Sequence, residues 1–227
     1  MMKRYFIAIV LAGITLSAAG QEVKWDSTFR PANYAIRAEQ FRSYPHKNTD
    51  IVFLGNSITA NTDWMELLGE PHARNRGISG DISFGVLERL EEVIEGKPDR
   101  IFILIGINDI SRNIPDSVIL NNYRRIIHRI RAGSPATKIF FQTLLPVNNE
   151  FTQFKNHYNK DEHILYVNAG IRKMVDTEKI TVVDLYPHFL GEDKKLDKKY
   201  TLDGLHLLAA GYKIWASILQ QGKYLTQ

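Results

Sequence analysis

Short apolar runs alternate along the chain with longer segments in which apolar residues recur every three or four positions. The short runs predict strands that are buried on both faces, since glycine or proline often bounds them. Gly55 ends the first run, Gly106 ends the second, and a weaker extended segment lies at His72–Arg76. The four clear runs are Ile51–Leu54, Ile101–Ile105, Lys138–Gln142 and Ile180–Leu185.

The longer segments predict amphipathic helices between the strands. Alternation of strands and helices over this length predicts a parallel sheet with helices on both faces. In such a sheet ligands bind outside the carboxyl ends of the strands, so candidate chemistry is sought just after each apolar run. The predicted helices are Ala32–Tyr44, Ile82–Ile94, Val118–Ile130, His163–Val175 and Leu207–Leu219.

Residues 1–20 have the pattern of a cleavable signal peptide. Lys3 and Arg4 precede the apolar run Tyr5–Leu16, and the small residues Ala18 and Gly20 follow it. This pattern is typical of export, and the run is too short to span a bilayer as a stable anchor, although a membrane tether is the alternative. We expect residues 21–227 to form a single domain, with residues 21–48 as a lead-in that packs on its surface.

Composition narrows the class of protein. The 227 residues are 44% hydrophobic and 24% charged, which favours one globular domain over disorder. Removal of Lys3 and Arg4 with the leader, which holds no acidic residue, lowers the formal net charge from +4 to +2. This balance, with no long basic run, argues against nucleic acid as a partner. No later segment is apolar enough to predict a membrane span.

The absence of cysteine excludes disulfides, a thiol nucleophile, zinc–thiolate sites and a lipid-anchored N-terminal cysteine. Histidine spacing predicts no metal site. Six histidines are interpreted as surface or packing residues: His46, His72, His128, His157, His163 and His188.

Ser57 is a candidate nucleophile, because it follows the first predicted strand at a strand-to-helix turn. Alone it is better explained as a helix cap. A nucleophilic serine needs a base, and the base needs an orienting carboxylate. Asp203 and His206 have the spacing to supply both from one turn of chain, although a lone histidine near a helix start has a simpler role as a hydrogen-bonded polar residue.

Acyl transfer also needs donors for a developing oxyanion. Gly80 and Asn108 follow predicted strand ends and offer a backbone N–H and a side-chain amide, and the N–H of Ser57 offers a third donor. Each alone is explained as a turn or cap residue. Their joint presence at one edge of the predicted sheet favours a serine hydrolase.

These candidate residues lie in four short blocks, and with the blocks in this order along the chain the sequence resembles the SGNH (GDSL-type) hydrolase family of esterases, lipases and carbohydrate deacetylases. The resemblance implies a flavodoxin-like three-layer α/β/α sandwich with five parallel strands in the order 2-1-3-4-5, and no metal or organic cofactor. It implies Ser57 as nucleophile, Asp203 and His206 as acid and base, and Ser57, Gly80 and Asn108 as the oxyanion hole. The four blocks are Leu54–Thr59, Asn75–Asp81, Gly106–Asp109 and Asp203–His206 followed by Ala210–Tyr212.

One position departs from the family pattern. Asn56 stands where the family usually has aspartate, and we expect activity to survive because asparagine has nearly the same volume and hydrogen-bonding capacity. Asn148 and Trp64 are candidates for substrate contact, with core packing as the alternative for Trp64. Asp81 and Asp109 are expected to brace their loops.

The expected function is that of an exported periplasmic or secreted serine esterase acting on a small-molecule or glycan ester. By resemblance to bacterial carbohydrate esterases, O-acetyl groups on sugars are the expected substrate. The first alternative is a lysophospholipase or thioesterase for longer acyl chains, for which a long apolar groove would be diagnostic. The second is a non-catalytic flavodoxin-like module that binds a ligand at Gly55–Thr59.

Overall fold

The computed structural model of the protein describes residues 24–226. The predicted signal peptide, residues 1–20, lies outside the described residues. Among the described residues, no helix is both long and apolar enough to cross a membrane.

Five parallel strands form one sheet in the order β2-β1-β3-β4-β5, which confirms the predicted architecture. The central pairing aligns Phe53 of β1 with Phe102 of β3, and Phe102 with Phe140 of β4. The strands are β1 (Ile51–Gly55), β2 (Ala73–Gly77), β3 (Arg100–Leu104), β4 (Lys138–Gln142) and β5 (Thr181–Val183).

Nine α-helices connect and cover the strands within residues 24–226. The predicted helix over Ile82–Ile94 is interrupted at Arg89, whose backbone leaves the helical region with φ −99° and ψ 10°. The helices are α1 (Tyr34–Ser43), α2 (Ser57–Ala60), α3 (Trp64–Leu68), α4 (Ser83–Glu88), α5 (Leu90–Ile94), α6 (Ile107–Ser111), α7 (Asp116–Gly133), α8 (Asp161–Glu178) and α9 (Ala209–Gln221).

Two helical layers pack on opposite faces of the sheet. Neighbouring residues of a strand point to opposite faces, so Phe140 and Phe141 mark the two sides. Phe141 contacts Tyr123 of α7, which packs with α4, α5 and α8. On the other side, Phe140 shares its face with Gln142, which accepts a hydrogen bond from Trp215 of α9 at 2.7 Å. The result is the three-layer α/β/α arrangement, with apolar strands buried between the layers.

The lead-in segment is held against the sheet edge by α1. Tyr34, Ala38 and Phe41 are its buried residues. The Tyr34 hydroxyl donates to the Gly85 carbonyl at 2.7 Å, and the Arg76 guanidinium lies 5.0 Å from the Phe41 ring centroid. Because Arg76 lies on β2, the edge strand, α1 covers a border of the sheet that would otherwise face solvent.

Candidate active site

Ser57 is the first residue of α2, directly beyond the carboxyl end of β1. The turn requires Gly55, because a Cβ there would lie 2.2 Å from the Leu104 carbonyl oxygen and 2.3 Å from Thr59 Oγ1. Asn56 is fully buried, and its Oδ1 accepts the Ile58 N–H at 3.0 Å. This cap fixes the backbone on which Ser57 is presented, and it needs only a side-chain acceptor oxygen, which an aspartate carboxylate would also provide.

Two hydrogen bonds join Ser57, His206 and Asp203. Ser57 Oγ lies 2.9 Å from His206 Nε2, and His206 Nδ1 lies 2.8 Å from Asp203 Oδ2. Ser57 and His206 are 149 positions apart in the chain, so only the fold brings them together. In this arrangement the imidazole can accept the serine proton while the carboxylate holds the opposite ring nitrogen.

Asp203 is fixed by its own turn of chain. Burial acts to raise the pKa of Asp203, but the His206 N–H, the His206 ring and the Leu205 N–H outweigh it and lower the pKa below 3.8. The two backbone N–H groups donate to Asp203 Oδ1 at 2.7 Å from His206 and 2.9 Å from Leu205. The carboxylate is therefore ionised at neutral pH, with Oδ2 directed to the imidazole.

The predicted oxyanion donors lie beside Ser57. Gly80, whose φ of +81° is in the left-handed region that favours glycine, and Asn108, which is 7% exposed, line the same cavity as Ser57. Among residues 24–226, no loop, turn or side-chain hydrogen bond occupies the N–H of Ser57 or of Gly80. These two N–H groups and the Asn108 amide are thus available for an oxyanion at Ser57.

A buried ion pair supports the loop that carries Gly80. Asp81 Oδ2 accepts from Arg89 Nε at 3.0 Å, and both side chains are fully buried. Arg89 Nη2 also donates to the Gly55 and Arg76 carbonyls at 3.2 and 2.9 Å. Arg89 therefore ties the Gly80 loop to the ends of β1 and β2. Burial raises the pKa of Asp81, against the lowering effect of Arg89.

Asp109 supports the neighbouring loop. Its carboxylate oxygens accept the Ser83 N–H at 3.0 Å each, so that the start of α4 is joined to α6. Complete burial raises the pKa of Asp109 to about 7. Both Asp81 and Asp109 contact loop backbone and lie outside the cavity lining, as the brace interpretation requires.

The cavity at Ser57 has a volume of about 400 Å³. Most of the residues that line it are polar, and Phe154 and Leu205 are the large apolar side chains. A hollow of about 630 Å³ beside the start of α8 is larger, but no serine lines it, so size alone does not locate the site. The lining residues at Ser57 are Ser57, Asn61, Ser79, Gly80, Asn108, Ser111, Arg112, Phe154, His157, Leu205 and His206.

The two predicted substrate contacts are wrong. Trp64 is 1% exposed and stacks on Phe53 at 4.0 Å between ring centroids, so it belongs to the core. Asn148 is fully buried, and its amide donates to the Leu196 carbonyl at 2.9 Å. Its N–H donates to the Gly204 carbonyl at 2.9 Å. Asn148 therefore holds the loop of Asp203 and His206, and touches no part of the cavity.

The interpretation of the six remaining histidines as surface or packing residues is wrong for His157. His157 lines the cavity, and its Nε2 lies 2.9 Å from Asn108 Oδ1. Burial lowers the pKa of His157 to about 4, and the charges of His206 and Arg112 act in the same direction. No local motif marks His157, because its partner lies 49 positions away in the chain. Phe154, which packs edge-on to His206 at 4.9 Å, also lacked a sequence signal.

No group of three or more histidine, aspartate or glutamate side chains in the described part of the chain is arranged to hold a metal ion.

Comparison with known proteins gives a family match over most of the chain. Residues 53–214 match the model of the GDSL-like lipase/acylhydrolase family. The chain is 27% identical over 172 residues to the human platelet-activating factor acetylhydrolase IB subunit alpha2, covering 73% of this chain and 72% of that protein.

Two solved structures share the fold closely. A Streptococcus pneumonia protein, solved under the provisional name of a platelet activating factor, is 31% identical with a TM-score of 0.77, over 85% of this chain and 92% of that one. A GDSL-like lipase from Bacteroides thetaiotaomicron is 25% identical with a TM-score of 0.74, over 86% of this chain and 98% of that one.

Proposed function

Because the chain belongs to the GDSL-like lipase/acylhydrolase family of carboxylic ester hydrolases, we propose that it is an exported serine esterase that removes small acyl groups, above all acetyl, from carbohydrate hydroxyls. The observation that carries this proposal is the hydrogen-bonded series Ser57–His206–Asp203 at a small cavity.

The proposed reaction begins with proton transfer. His206 Nε2 takes the proton of Ser57 Oγ as the oxygen attacks the ester carbonyl, and Asp203 stabilises the imidazolium. The N–H groups of Ser57 and Gly80 and the Asn108 amide receive the oxyanion. His206 then protonates the departing alcohol, and a water that it activates releases the acid from Ser57.

The size of the cavity supports the proposal that the acyl group of the substrate is small. A long acyl chain requires an extended apolar groove, whereas this cavity holds about 400 Å³ and presents Phe154 and Leu205 as its apolar side chains. The curated relatives are named acetylhydrolases, which also favours acetyl. Lysophospholipase or thioesterase activity on longer chains is correspondingly disfavoured.

The polar side chains in the cavity lining support a carbohydrate as the alcohol part of the substrate. Asn61, Ser79 and Ser111 line the cavity and bring donors and acceptors suited to sugar hydroxyls. A second candidate is an acetylated phospholipid, favoured by the names of the relatives and by Arg112, whose cationic side chain at the cavity would pair with a phosphate. Export is proposed from the pattern of residues 1–20 alone.

The decisive experiment measures hydrolysis of p-nitrophenyl acetate, octanoate and palmitate by the chain without residues 1–20. We expect turnover of acetate that Ser57→Ala abolishes, while Ser43→Ala, a change at an exposed serine at the end of α1, preserves it. Rates of hydrolysis of an acetylated xylo-oligosaccharide and of an acetylated lysophospholipid then distinguish a carbohydrate from a phospholipid as the alcohol part of the substrate. Preference for palmitate would overturn the acetyl proposal, and undiminished activity of Ser57→Ala would overturn the mechanism.

A further inference from the structure

The hydrogen bonds of the Asn108 carboxamide determine its orientation. Nδ2 lies 2.9 Å from the Asp81 carbonyl oxygen, and Oδ1 lies 2.9 Å from His157 Nε2. A backbone carbonyl only accepts, so the amide nitrogen must face Asp81. The amide oxygen then faces His157, and because it also only accepts, His157 must carry its proton on Nε2.

The state of His157 agrees with this role. Burial and the nearby charges of His206 and Arg112 keep the ring neutral at physiological pH, since the pKa of His157 is lowered to about 4. The other ring nitrogen, Nδ1, is buried and has no hydrogen-bond partner among residues 24–226. Asn108 is thus the one polar partner of this ring within the described chain, although burying an unpaired Nδ1 is unfavourable.

We propose that His157 is a positioning residue for the oxyanion donor Asn108, and this inference rests on the proposed esterase function. One hydrogen of Asn108 Nδ2 is taken by the Asp81 carbonyl, and the second remains for the oxyanion. The His157 hydrogen bond prevents rotation of the carboxamide and polarises it, which strengthens the remaining N–H as a donor. His157 itself does not contact the reacting atoms.

The segment that carries His157 also contacts the loop of Asp203 and His206. His157 ends a short 3₁₀ turn, Lys155–His157, that packs against α6, where Asn108 lies. The next residue, Tyr158, donates its hydroxyl to the Asp203 carbonyl. The segment therefore fixes the distance between the oxyanion donor and the Asp203–His206 loop, which explains why a positioning group is supplied from here.

Replacement of His157 by phenylalanine or glutamine tests the proposal. Phenylalanine keeps the ring but removes the donor, whereas glutamine places an amide N–H near the position of Nε2. With p-nitrophenyl acetate we expect His157→Phe to lower kcat on the order of 10-fold, less than the 10²–10³ typical of losing a whole oxyanion donor, with little change in KM. His157→Gln retains most of kcat, and His188→Phe, at an exposed histidine, is unchanged.

A double-mutant cycle separates positioning from a general structural role. In an Asn108→Ala background, His157→Phe should cause no further loss of kcat, because its partner is gone. Equal losses in the two backgrounds, or equal losses for the glutamine and phenylalanine variants, would overturn the proposal.

A second measurement does not depend on activity. NMR of the histidine ring nitrogens in the wild-type protein should show His157 as the neutral Nε2–H tautomer at neutral pH. An Nδ1–H tautomer would overturn the positioning role even if every kinetic variant failed to fold. Absence of Ser57-dependent turnover together with the Nε2–H tautomer would instead overturn the proposed function and leave the hydrogen bond in place.

Discussion

The two halves of the cavity are built in different ways. Asp203 and His206 come from one turn of chain, bond to each other and to their own backbone, and keep side chains that are 23% and 22% exposed. Asn108 is 7% exposed and depends on partners 27 and 49 positions away, the Asp81 carbonyl and His157. The Asp203–His206 pair is formed within one turn and is more exposed, whereas the Asn108 carboxamide is held by distant residues and is buried.

This difference agrees with what the proposed reaction requires of each half. In the proposed mechanism His206 exchanges protons with serine, alcohol and water, so its surroundings must remain accessible. Oxyanion donors act by being fixed before charge develops, which requires rigid neighbours and low solvent exposure. The buried Asp81–Arg89 pair and the Asp109–Ser83 contact supply that rigidity. Substitutions in the open half should therefore affect turnover, and substitutions in the buried half should affect stability as well.

The largest effect that sharpens this comparison is expected for Asp203→Asn. The amide oxygen would take the place of Oδ1, which accepts two backbone N–H groups, so the amide nitrogen would face His206 Nδ1. The imidazole would then carry its proton on Nε2 and could not accept the proton of Ser57. We expect kcat to fall on the order of 10⁴-fold, measured with p-nitrophenyl acetate.

Thermal unfolding of Asp203→Asn is the companion measurement. The turn keeps its backbone hydrogen bonds, so the melting temperature should change little. A loss of kcat below 10-fold, or unfolding severe enough to explain the loss, would show that the open half is not primarily catalytic.

An intermediate effect is expected for Arg89→Met in the buried half. The change leaves Asp81 buried without its counter-ion and removes one hydrogen bond from each of the Gly55 and Arg76 carbonyls. Breaking a buried pair in this way costs about 3–5 kcal/mol, measured as the free energy of unfolding in urea. Lys198→Met is the matched control, because it breaks the exposed pair with Glu150 and should leave the denaturation midpoint nearly unchanged. Similar losses of unfolding free energy in the two variants would contradict the contrast between the buried and the exposed ion pair.

The smallest effect is a pH dependence of stability from His157. Its pKa falls from 6.5 to about 4 on folding, mainly through burial. Between these pH values His157 is protonated in the unfolded chain and neutral in the folded chain. Its contribution therefore lowers the free energy of unfolding as pH falls from 6.5 towards 4. His157→Phe should flatten the pH dependence of unfolding in that window relative to wild type, in urea titrations at pH 7 and pH 4.5. Parallel curves would show that His157 is not buried as a neutral ring.

Much of the fold was predictable because four of the five strands lie in short apolar runs, two of which end at a glycine. The strand order came with the family resemblance, and both are confirmed. The helix over Ile82–Ile94 was predicted as continuous because its apolar spacing continues through Arg89. The interruption at Arg89 coincides with a buried side chain bound to Asp81 and to two strand ends, and periodicity does not encode those contacts.

The sequence by itself determined the candidate chemical groups of the site, three of which, Ser57, Gly80 and Asn108, follow strand ends. Ser57, Gly80, Asn108, Asp203 and His206 were found because each belongs to a short local pattern. The structure brings four of them to one cavity, and Asp203 is hydrogen-bonded to the fourth, His206. The tertiary structure alone decided how the oxyanion half is supported. Trp64 and Asn148 became packing and loop-holding residues, and His157 became a cavity residue. The physical reason is that burial and hydrogen-bond partners depend on contacts between distant segments, which local spacing does not specify.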